Sequence, residues 1–556
     1  MDNLRRRRKE IMRWRKDSFI LVLVVVLQLV TSVHASFCDR YYDEQLIMVY
    51  NYQNTLTTDC RGRSLESIPK YLDPDTKHLL ISSNNIGKLN NSIFEYLHLT
   101  GLLTLDLRDN DIKYVQESAF QGLVDLEILS LDNNGITSLS PNILKDCSKL
   151  RHLGLRGNPI QIPDSEHFLN IRGLETLDLS DCNLNVLPKA LLLDSSKLQL
   201  LKLSSNKLIN LNTEEFKNLR RLEVDYNRIS SLNQHTFHSN TDIVFLDLSG
   251  NVLSMVKHEP IVYSNSLQYL YLNKCGIVEI TAKHFLNLTN VEELYMDWNF
   301  LTVIRNDSFL YLENVRVLSL RYNKIRYLEP HIFKTNVRLS QIDLSGNHLS
   351  LGGTPFLELP SLTKLSLSSC NIGNLNHSAI FVGIGNLRSL SLASNNLEDV
   401  DVDALDILKS LKYLNMSDNP LKCNRMLRMV WKWCERNYIV CSAECRSPQG
   451  DWNMVRYLKF SDSENIKKTS VEVTEESSLI LLAIRCFIPF GAMALLIGIV
   501  FLTRRLIKFV ILKHHHYNSH YSYESDDSEQ ECTMTTEVGS GKSPNHERSA
   551  HNQPQG

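Results

Sequence analysis

One pattern recurs through most of this chain: two apolar residues separated by one residue, followed three residues later by asparagine. Examples are LTLDLRDNDI, LEILSLDNNGI, VEELYMDWNFL and LKYLNMSDNPL. The asparagine-type position occurs fifteen times, most often 24 residues apart, at 84, 110, 134, 158, 182, 206, 227, 251, 275, 299, 323, 347, 370, 395 and 419. A period that persists over fifteen copies predicts a repeat architecture. We refer to each copy as a coil and name it by its asparagine-type residue.

The spacing within the pattern predicts the local structure of each coil. Because alternate residues of a strand point to the same face, the two apolar residues lie inward on a short strand. Strands of successive coils then add to one long parallel sheet, and each coil buries its apolar side only against its neighbours. The asparagine amide follows the strand, where it can bond the backbone of its own and the adjacent coil. The predicted fold class is an α/β solenoid.

A second regularity marks the return side of the coils. Phenylalanine stands ten residues after the asparagine-type position in eight coils, at Phe94, Phe120, Phe168, Phe216, Phe237, Phe285, Phe309 and Phe333. We interpret this stripe as an aromatic spine inside the solenoid and not as a ligand pocket.

The pattern resembles that of extracellular leucine-rich repeat proteins, and the resemblance covers roughly residues 60–450. It implies a horseshoe with a parallel sheet on its concave side and disulfide-capped ends. Cys38 and Cys60 bracket the start of the array and look like the disulfide of an N-terminal cap. Such caps cover the apolar faces that terminal coils would otherwise expose.

The end of the array resembles the C-terminal cap of the same family. Four cysteines lie in or after NPLKCNRMLRMVWKWC: Cys423, Cys434, Cys441 and Cys445. The family's usual C-x-C is replaced here by the segment 423–425, so three pairings of the four cysteines remain open. A zinc site is the alternative, which an oxidising compartment disfavours.

Three further cysteines, Cys182, Cys275 and Cys370, replace the asparagine of their coils. Successive members lie four coils apart, and a strand spacing of about 4.8 Å separates them by roughly 19 Å. A disulfide requires Cα atoms within about 7 Å, so these residues cannot pair, and the same distance excludes one shared metal site. We interpret them as structural turn residues, and Cys147 as a buried cysteine.

Two hydrophobic segments frame the repeats. FILVLVVVLQLVTSV follows a basic stretch and precedes Val33-His34-Ala35, as expected of a secretory signal peptide. An uncleaved anchor is the alternative, but the run is shorter than the roughly 20 residues that span a bilayer. The second segment, residues 479–502, is long enough to span and is followed by Arg504 and Arg505. The sequence predicts a single-pass type I plasma-membrane protein with an extracellular N-terminus.

These boundaries predict seven regions: signal peptide (1–35), N-terminal cap (36–68), about 15 repeats (69–421), cysteine-containing C-terminal cap (422–458), stalk (459–478), transmembrane helix (479–502) and cytoplasmic tail (503–556). The tail is polar, so we expect it to be disordered. The ectodomain resembles those of Toll-type receptors, chaoptin and connectin, but the folded signalling domain of Toll-type receptors has no room in this tail.

Candidate binding residues lie between the inward positions of five consecutive coils. In VEELYMDWN, Leu294 and Met296 point inward, which leaves four residues on the concave surface or its rim: Glu293, Tyr295, Asp297 and Trp298. The same count in neighbouring coils adds Glu223, Asp225, Tyr226, Phe245, Asp247, Tyr269, Tyr271, Arg321 and Tyr322, and it also places Lys274 beside Tyr269 and Tyr271.

Tyrosine, tryptophan and arginine are enriched at protein interfaces because they bury much area and keep a polar tip. We therefore predict that residues 223–322 form the main concave binding surface. The alternative is that the tyrosines stack along the sheet and only stabilise it.

Five Asn-x-Ser/Thr triplets predict glycosylation, at Asn90, Asn287, Asn306, Asn376 and Asn415. Asn415 lies between the inward residues Leu414 and Met416 and should face the concave side. A glycan there would block that end, which favours ligand binding nearer the middle.

The remaining features restrict the function. A formal net charge of −2 provides no basic field for nucleic acid. No catalytic or metal-ligand spacing recurs outside the scaffold, so we expect no catalytic residues, no cofactor and no metal. The pattern favours a non-enzymatic receptor or co-receptor that binds a protein or microbial ligand, as in innate immunity, with a co-receptor or a second copy as partner. The alternative is a homophilic or heterophilic cell-adhesion protein.

Overall fold

The computed structural model describes residues 38–42, 55–162, 167–187, 191–194, 196–233, 235–237, 240–255, 259–351, 355–375, 377–446 and 452–454. The predicted signal peptide, stalk, transmembrane helix and tail lie outside these residues, as does Asn376. Among the residues described, no helix combines the length and the apolar composition needed to cross a bilayer.

Each coil contributes one short strand to the main sheet, as its alternating apolar residues predict. In chain order the strands are β1 (Asp39–Tyr42), β2 (Leu56–Asp59), β3 (His78–Leu80), β4 (Lys88–Leu89), β5 (Thr104–Asp106), β6 (Tyr114–Val115), β7 (Ile128–Ser130), β8 (His152–Gly154), β9 (Thr176–Asp178), β10 (Leu200–Lys202), β11 (Arg221–Glu223), β12 (Phe245–Asp247), β13 (Tyr269–Tyr271), β14 (Glu293–Tyr295), β15 (Val317–Ser319), β16 (Gln341–Asp343), β17 (Lys364–Ser366), β18 (Ser389–Ser391), β19 (Tyr413–Asn415), β20 (Val440–Ser442), β21 (Glu444–Arg446) and β22 (Trp452–Met454).

Eighteen of these strands form one sheet. Strand β1 pairs antiparallel with β2, and from β2 to β20 each successive strand of the sheet is parallel to its neighbour. Strands β4 and β6 pair with each other, as do β21 and β22. The central leucines align from coil to coil, for example Leu270 with Leu294 and Leu318. The predicted parallel-sheet solenoid is therefore confirmed.

The aromatic spine predicted on the return side is also confirmed. All eight predicted phenylalanines are buried, and neighbouring rings stack, with ring centroids 6.1 Å apart for Phe94 and Phe120 and 5.5 Å apart for Phe309 and Phe333. The structure adds Phe381, which is also fully buried and lies eleven residues after Cys370.

The α/β class needs correction, because helix is scarce among the described residues and their fold is a β-solenoid. Within these residues the helices are α1 (Ile93–Tyr96), α2 (Val402–Leu405) and α3 (Arg425–Arg436), with 3-10 turns at Ala282–Phe285 and Val382–Ile384. In the Asn299 coil the buried return-side residues are Leu301, Ile304, Phe309, Leu312 and Val315. Their irregular spacing matches no continuous helical face. The backbone closes three-residue turns instead, such as Leu312 N–H to Phe309 O at 3.0 Å.

Asparagine side chains hold successive coils together at the end of each strand. The Nδ2 group of Asn299 donates to Met296 O of its own coil and to Leu272 O of the preceding coil, at 2.9 and 2.8 Å. Its Oδ1 accepts the N–H groups of Cys275 and Ile277, at 2.9 and 3.0 Å. One buried amide thus satisfies four backbone groups, which is why the pattern needs asparagine here.

Disulfides close both ends of the solenoid, as the family resemblance implies. Cys38 pairs with Cys60 at the N-terminal end. The open question at the C-terminal end is resolved by two pairs, Cys423–Cys445 and Cys434–Cys441. These bonds leave no thiolate of the cap for zinc.

Helix α3 covers the last coil. It begins after Asn424, whose Oδ1 accepts the N–H of Leu427 at 3.1 Å, as an N-cap does. Its buried face includes Val430 and Trp433, and Trp433 Nε1 donates to Asp406 Oδ1 at 3.0 Å. The helix therefore shields apolar surface that a terminal coil would otherwise expose to water.

Candidate functional site

Strands β11 to β15 bring the thirteen predicted binding residues into five adjacent coils. The parallel register aligns Phe245 with Tyr269 and Glu293, and it aligns Asp247 with Tyr271 and Tyr295. The leucines between these residues are buried, so the named side chains share the solvent side of the sheet, which we call the sheet face.

Aromatic rings on the sheet face stack along the sheet. The ring centroids of Phe245 and Tyr271 are 5.0 Å apart, and those of Tyr271 and Tyr295 are 4.5 Å apart with nearly parallel planes. The Arg221 guanidinium carbon lies 3.6 Å from the Phe245 centroid, and Tyr295 Oη donates to Glu293 Oε2 at 2.8 Å. The half-buried aromatic side chains and the exposed Arg221 stabilise one another, as the alternative interpretation of the tyrosines predicts. We call Arg221, Phe245, Tyr271 and Tyr295 the strand track.

Burial raises the pKa of two phenols in the strand track. It is the main cause of the raised pKa of Tyr271 and of Tyr295, and for Tyr295 the hydrogen bond to Glu293 raises the pKa further. Both phenols are therefore neutral hydrogen-bonding groups at physiological pH.

The predicted acidic residues are engaged by groups of their own and of neighbouring coils. Glu223 pairs with Arg221 at 2.6 Å and with Lys202 at 3.4 Å. Asp297 accepts the Ser319 hydroxyl at 2.5 Å and the N–H of Arg321 at 2.9 Å. Burial raises the pKa of Asp297 and of Asp247, while these hydrogen bonds oppose the shift for Asp297. The carboxylates mainly organise the sheet face and leave little charge free for a ligand.

A second set of side chains stands at the residue just before the asparagine-type position: Tyr226, Lys274, Trp298 and Tyr322. All four have a left-handed backbone, with φ of 51°, 54°, 59° and 50°. The same position in other coils holds residues that tolerate this conformation, such as Gly157, Asp181 and Ser205. A bulky side chain there is a backbone outlier, and such outliers gather at functional sites. We call these four residues the rim track.

The rim track is supported from the neighbouring coils. The rings of Trp298 and Tyr322 stack with centroids 4.0 Å apart. Tyr322 lies on the backbone of Gly346, where a Cβ atom would stand 2.3 Å from Tyr322 Cδ1. Tyr226 lies in the same way on Gly250, and its hydroxyl is 3.2 Å from Lys274 Nζ. Glycine is thus required in the coils on which these two rings rest.

Exposure separates the two tracks. Trp298 is 53% exposed and Tyr226 is 50% exposed, whereas Tyr271 and Tyr295 are half-buried. The rim track therefore offers a partner more uncommitted aromatic surface than the strand track does. The sequence places all four of its residues at outward positions, with Lys274 outside the thirteen predicted binding residues, but does not predict their backbone conformation. The available signal was the prevalence of Gly, Asp, Asn and Ser at this position in the other coils.

The predicted glycosylation sites that the structure describes avoid both tracks. Asn90, Asn287 and Asn306 are exposed. Asn415 ends β19 and pairs in register with Ser391, so it lies on the sheet face, where its Oδ1 accepts the Ser417 hydroxyl at 2.8 Å. Within the described ranges no group of three or more His, Cys, Asp or Glu side chains is placed to hold a metal ion.

Comparison with known proteins shows which family, sequences and structures this chain resembles. A family model described as leucine rich repeat matches residues 74–135, 100–160, 172–224, 217–277, 289–349 and 360–421, which together make up more than half of the chain. Toll-like receptor 3 of Bos taurus is 30% identical over 304 residues, covering 54% of this chain but only 30% of the receptor. Tsukushi of Gallus gallus is 26% identical over 375 residues, covering 66% of this chain and 75% of Tsukushi. A leucine-rich repeat protein of Leptospira interrogans superposes with a TM-score of 0.48 at 21% identity, covering 72% of this chain and 98% of that one.

Proposed function

This chain belongs to the leucine-rich repeat family, and from that premise we propose that it is a cell-surface recognition receptor or co-receptor without enzymatic activity. Its ligand is an extracellular protein, bound by the sheet face and rim track of the coils from Asn227 to Asn323. A signal peptide delivers the chain, and one transmembrane helix holds it in the plasma membrane as a type I protein.

The observation that carries this proposal is the exposed rim track. Each non-glycine residue in a left-handed conformation costs about 1–2 kcal/mol. Tyr226, Trp298 and Tyr322 incur this cost while 50%, 53% and 36% of their surface stays in water, so core burial does not offset it. Exposed aromatic side chains on a rigid scaffold have the composition of interface hot spots.

Further support comes from the covalent structure and from the relatives. Three disulfides in the caps fit an oxidising, extracytoplasmic compartment. One similar protein is named a receptor, Toll-like receptor 3, although this chain spans only 30% of its length.

The test is proximity labelling on cells that display the full-length chain. Wild type is compared with a variant carrying Tyr271→Ser, Tyr295→Ser and Trp298→Ser. The matched control replaces three exposed tyrosines outside the five coils, by Tyr96→Ser, Tyr114→Ser and Tyr413→Ser. We expect the control to label the same extracellular proteins as the wild type, and we expect the triple variant to lose some of them.

Identical neighbours for both variants would overturn the proposal. Cells that display the chain and aggregate with one another, through contacts that the triple variant abolishes, would instead identify a homophilic adhesion protein.

A further inference from the structure

Apolar side chains continue beyond the rim track, on the segment that follows each asparagine-type residue. They are exposed beside residues of the core: Val252 is 74% exposed, Phe300 48% and Val303 64%, while Leu301 and Ile304 are buried. We define the flank patch as Val252, Val278, Phe300, Val303, Lys324, Arg326 and Tyr327, all of which are exposed. Monomeric proteins rarely leave contiguous apolar surface of this kind without a partner.

The flank patch is one continuous surface. Phe300 N–H donates to Ile277 O at 2.8 Å and Lys324 N–H donates to Leu301 O at 2.9 Å, so the segments of adjacent coils run side by side. Lys324 Nζ lies 4.6 Å from the Phe300 ring centroid. Phe300 follows Trp298 by two residues, which joins the patch to the rim track.

Uncommitted positive charge accompanies this apolar surface. Among the described residues, the ion pairs of these coils join Arg305 to Glu279, Arg316 to Glu292 and Arg321 to Asp343, and none includes Lys274, Lys324 or Arg326. Lys274 and Lys324 instead contact the rings of Tyr226 and Phe300. Cations held beside aromatic rings and not neutralised are available to carboxylates of a partner.

We propose that the flank patch docks an acidic segment of the partner protein. This inference rests on the proposed function and names the chemistry of its ligand. The segment presents carboxylates to Lys274, Lys324 and Arg326, and apolar side chains to Phe300, Val303 and Tyr327. Sequence-specific affinity comes from burying the apolar residues, and fast association comes from the charges.

Other occupants fit less well. A second copy docked through a two-fold axis would bring the flank patches of both copies into one interface, and these contain Lys324 and Arg326 but no acidic residue, so unbalanced like charges oppose association. A polyanion would satisfy the cations, but it would bury none of the apolar surface of Val252, Val278 and Val303, because such ligands bind mainly through charge.

The probe is a phage library of short random peptides, selected on cells that display the full-length chain. Selected peptides are synthesised and their affinities measured at low and high salt. We expect enrichment in Asp and Glu together with aromatic or aliphatic residues, and weaker binding at high salt. The double variant Lys324→Glu and Arg326→Glu should weaken binding about tenfold or more. The matched control, Lys334→Glu and Arg338→Glu, reverses two exposed charges on the return side of the same coil and should leave binding unchanged.

Peptides without acidic enrichment, or equal binding to the double variant, would overturn the inference. The inference would also be overturned if no peptide is selected and the double variant abolishes the binding of heparin or of a duplex oligonucleotide, because that result identifies a polyanion site. Self-association lost in the double variant would identify a second copy as the occupant.

Proximity labelling separates this inference from the proposed function. If the double variant keeps the labelled neighbours that the aromatic triple variant loses, the proposed function stands and the acidic segment is wrong. If both variants keep them, the proposed function itself fails.

Discussion

The residue before each asparagine determines how a coil meets solvent. Its left-handed backbone turns the chain out of the strand, and most coils place Gly, Asp, Asn or Ser there. The four coils of the rim track place Tyr226, Lys274, Trp298 and Tyr322 in the same conformation. Gly250 and Gly346 provide the flat backbone on which the two tyrosine rings rest. At this position backbone stability favours a small residue, whereas an exposed aromatic surface requires a large one.

Replacing Trp298 by glycine tests this opposition. Glycine adopts the observed φ of 59° without steric cost, which relieves about 1–2 kcal/mol of backbone strain. The lost stack on Tyr322 offsets about 0.5–1.5 kcal/mol of that gain. We expect the free energy of unfolding, measured by urea denaturation, to change by less than about 1 kcal/mol, while labelling of extracellular neighbours falls.

The control for this variant is Leu294→Ala, which empties a fully buried site in the same coil. It should cost about 2–5 kcal/mol of unfolding free energy. If Trp298→Gly lost that much unfolding free energy, the Trp298 ring would be needed for stability. The backbone strain at Trp298 would then no longer indicate a binding role.

At the scale of the element, the turn after the strand holds cysteine in place of asparagine in three coils. Cys275 Sγ lies 3.3 Å from Leu248 O and so replaces the amide donor toward the preceding coil. The thiol offers only weak hydrogen bonds, and asparagine supplies a stronger donor and acceptor at the same place. Three isolated thiols are compatible with the fold because the coils on either side retain their asparagines.

Alkylation should distinguish these turn cysteines from those of the caps. Burial raises the pKa of the Cys182 and Cys275 thiols to about 12 and that of Cys370 to about 11, so little reactive thiolate forms near neutral pH. We expect iodoacetamide to label Cys147, Cys182, Cys275 and Cys370 only in denaturant, as read by mass spectrometry of peptides. The six cap cysteines should react only after reduction. Labelling of Cys182 in the native protein would mean that the turn is open to solvent.

At the scale of the whole molecule, the described residues form a row of coils in which each strand pairs only with the strands of adjacent coils. Removing exactly one period should therefore preserve the register. Deletion of residues 276–299 joins Cys275 to Phe300, and deletion of residues 111–134 joins Asn110 to Gly135. We expect both proteins to reach the cell surface with unchanged circular dichroism per residue. Only the first deletion removes Trp298 and should lose the labelled neighbours.

The second deletion is the control, because it has the same length and lies outside the five coils. Intracellular retention of both proteins would contradict the neighbour-only account of stability. Equal labelling by both would place the binding surface elsewhere on the chain.

Much of the architecture could be predicted because it depends on local spacing. The inward pair Leu294 and Met296, the phenylalanine spine and the turn role of Asn299 each follow from a period that every coil repeats. The α/β class was wrong because the inward residues of the return segment reveal no helical period. The pairing of Cys423 with Cys445 could not be chosen from the sequence, since it depends on where helix α3 and strand β20 place the other two thiols.

The sequence by itself determined the strands, the sheet face and the coils that hold the aromatic residues, because a two-residue alternation and a 24-residue period leave no other way to bury the leucines. Only the tertiary structure decided which rings meet solvent. Tyr271 and Tyr295 stack on each other, whereas Trp298 and Tyr322 stand at the rim. The physical reason is that a ring's exposure depends on its backbone conformation and on the residue in the next coil, 24 positions away in the chain.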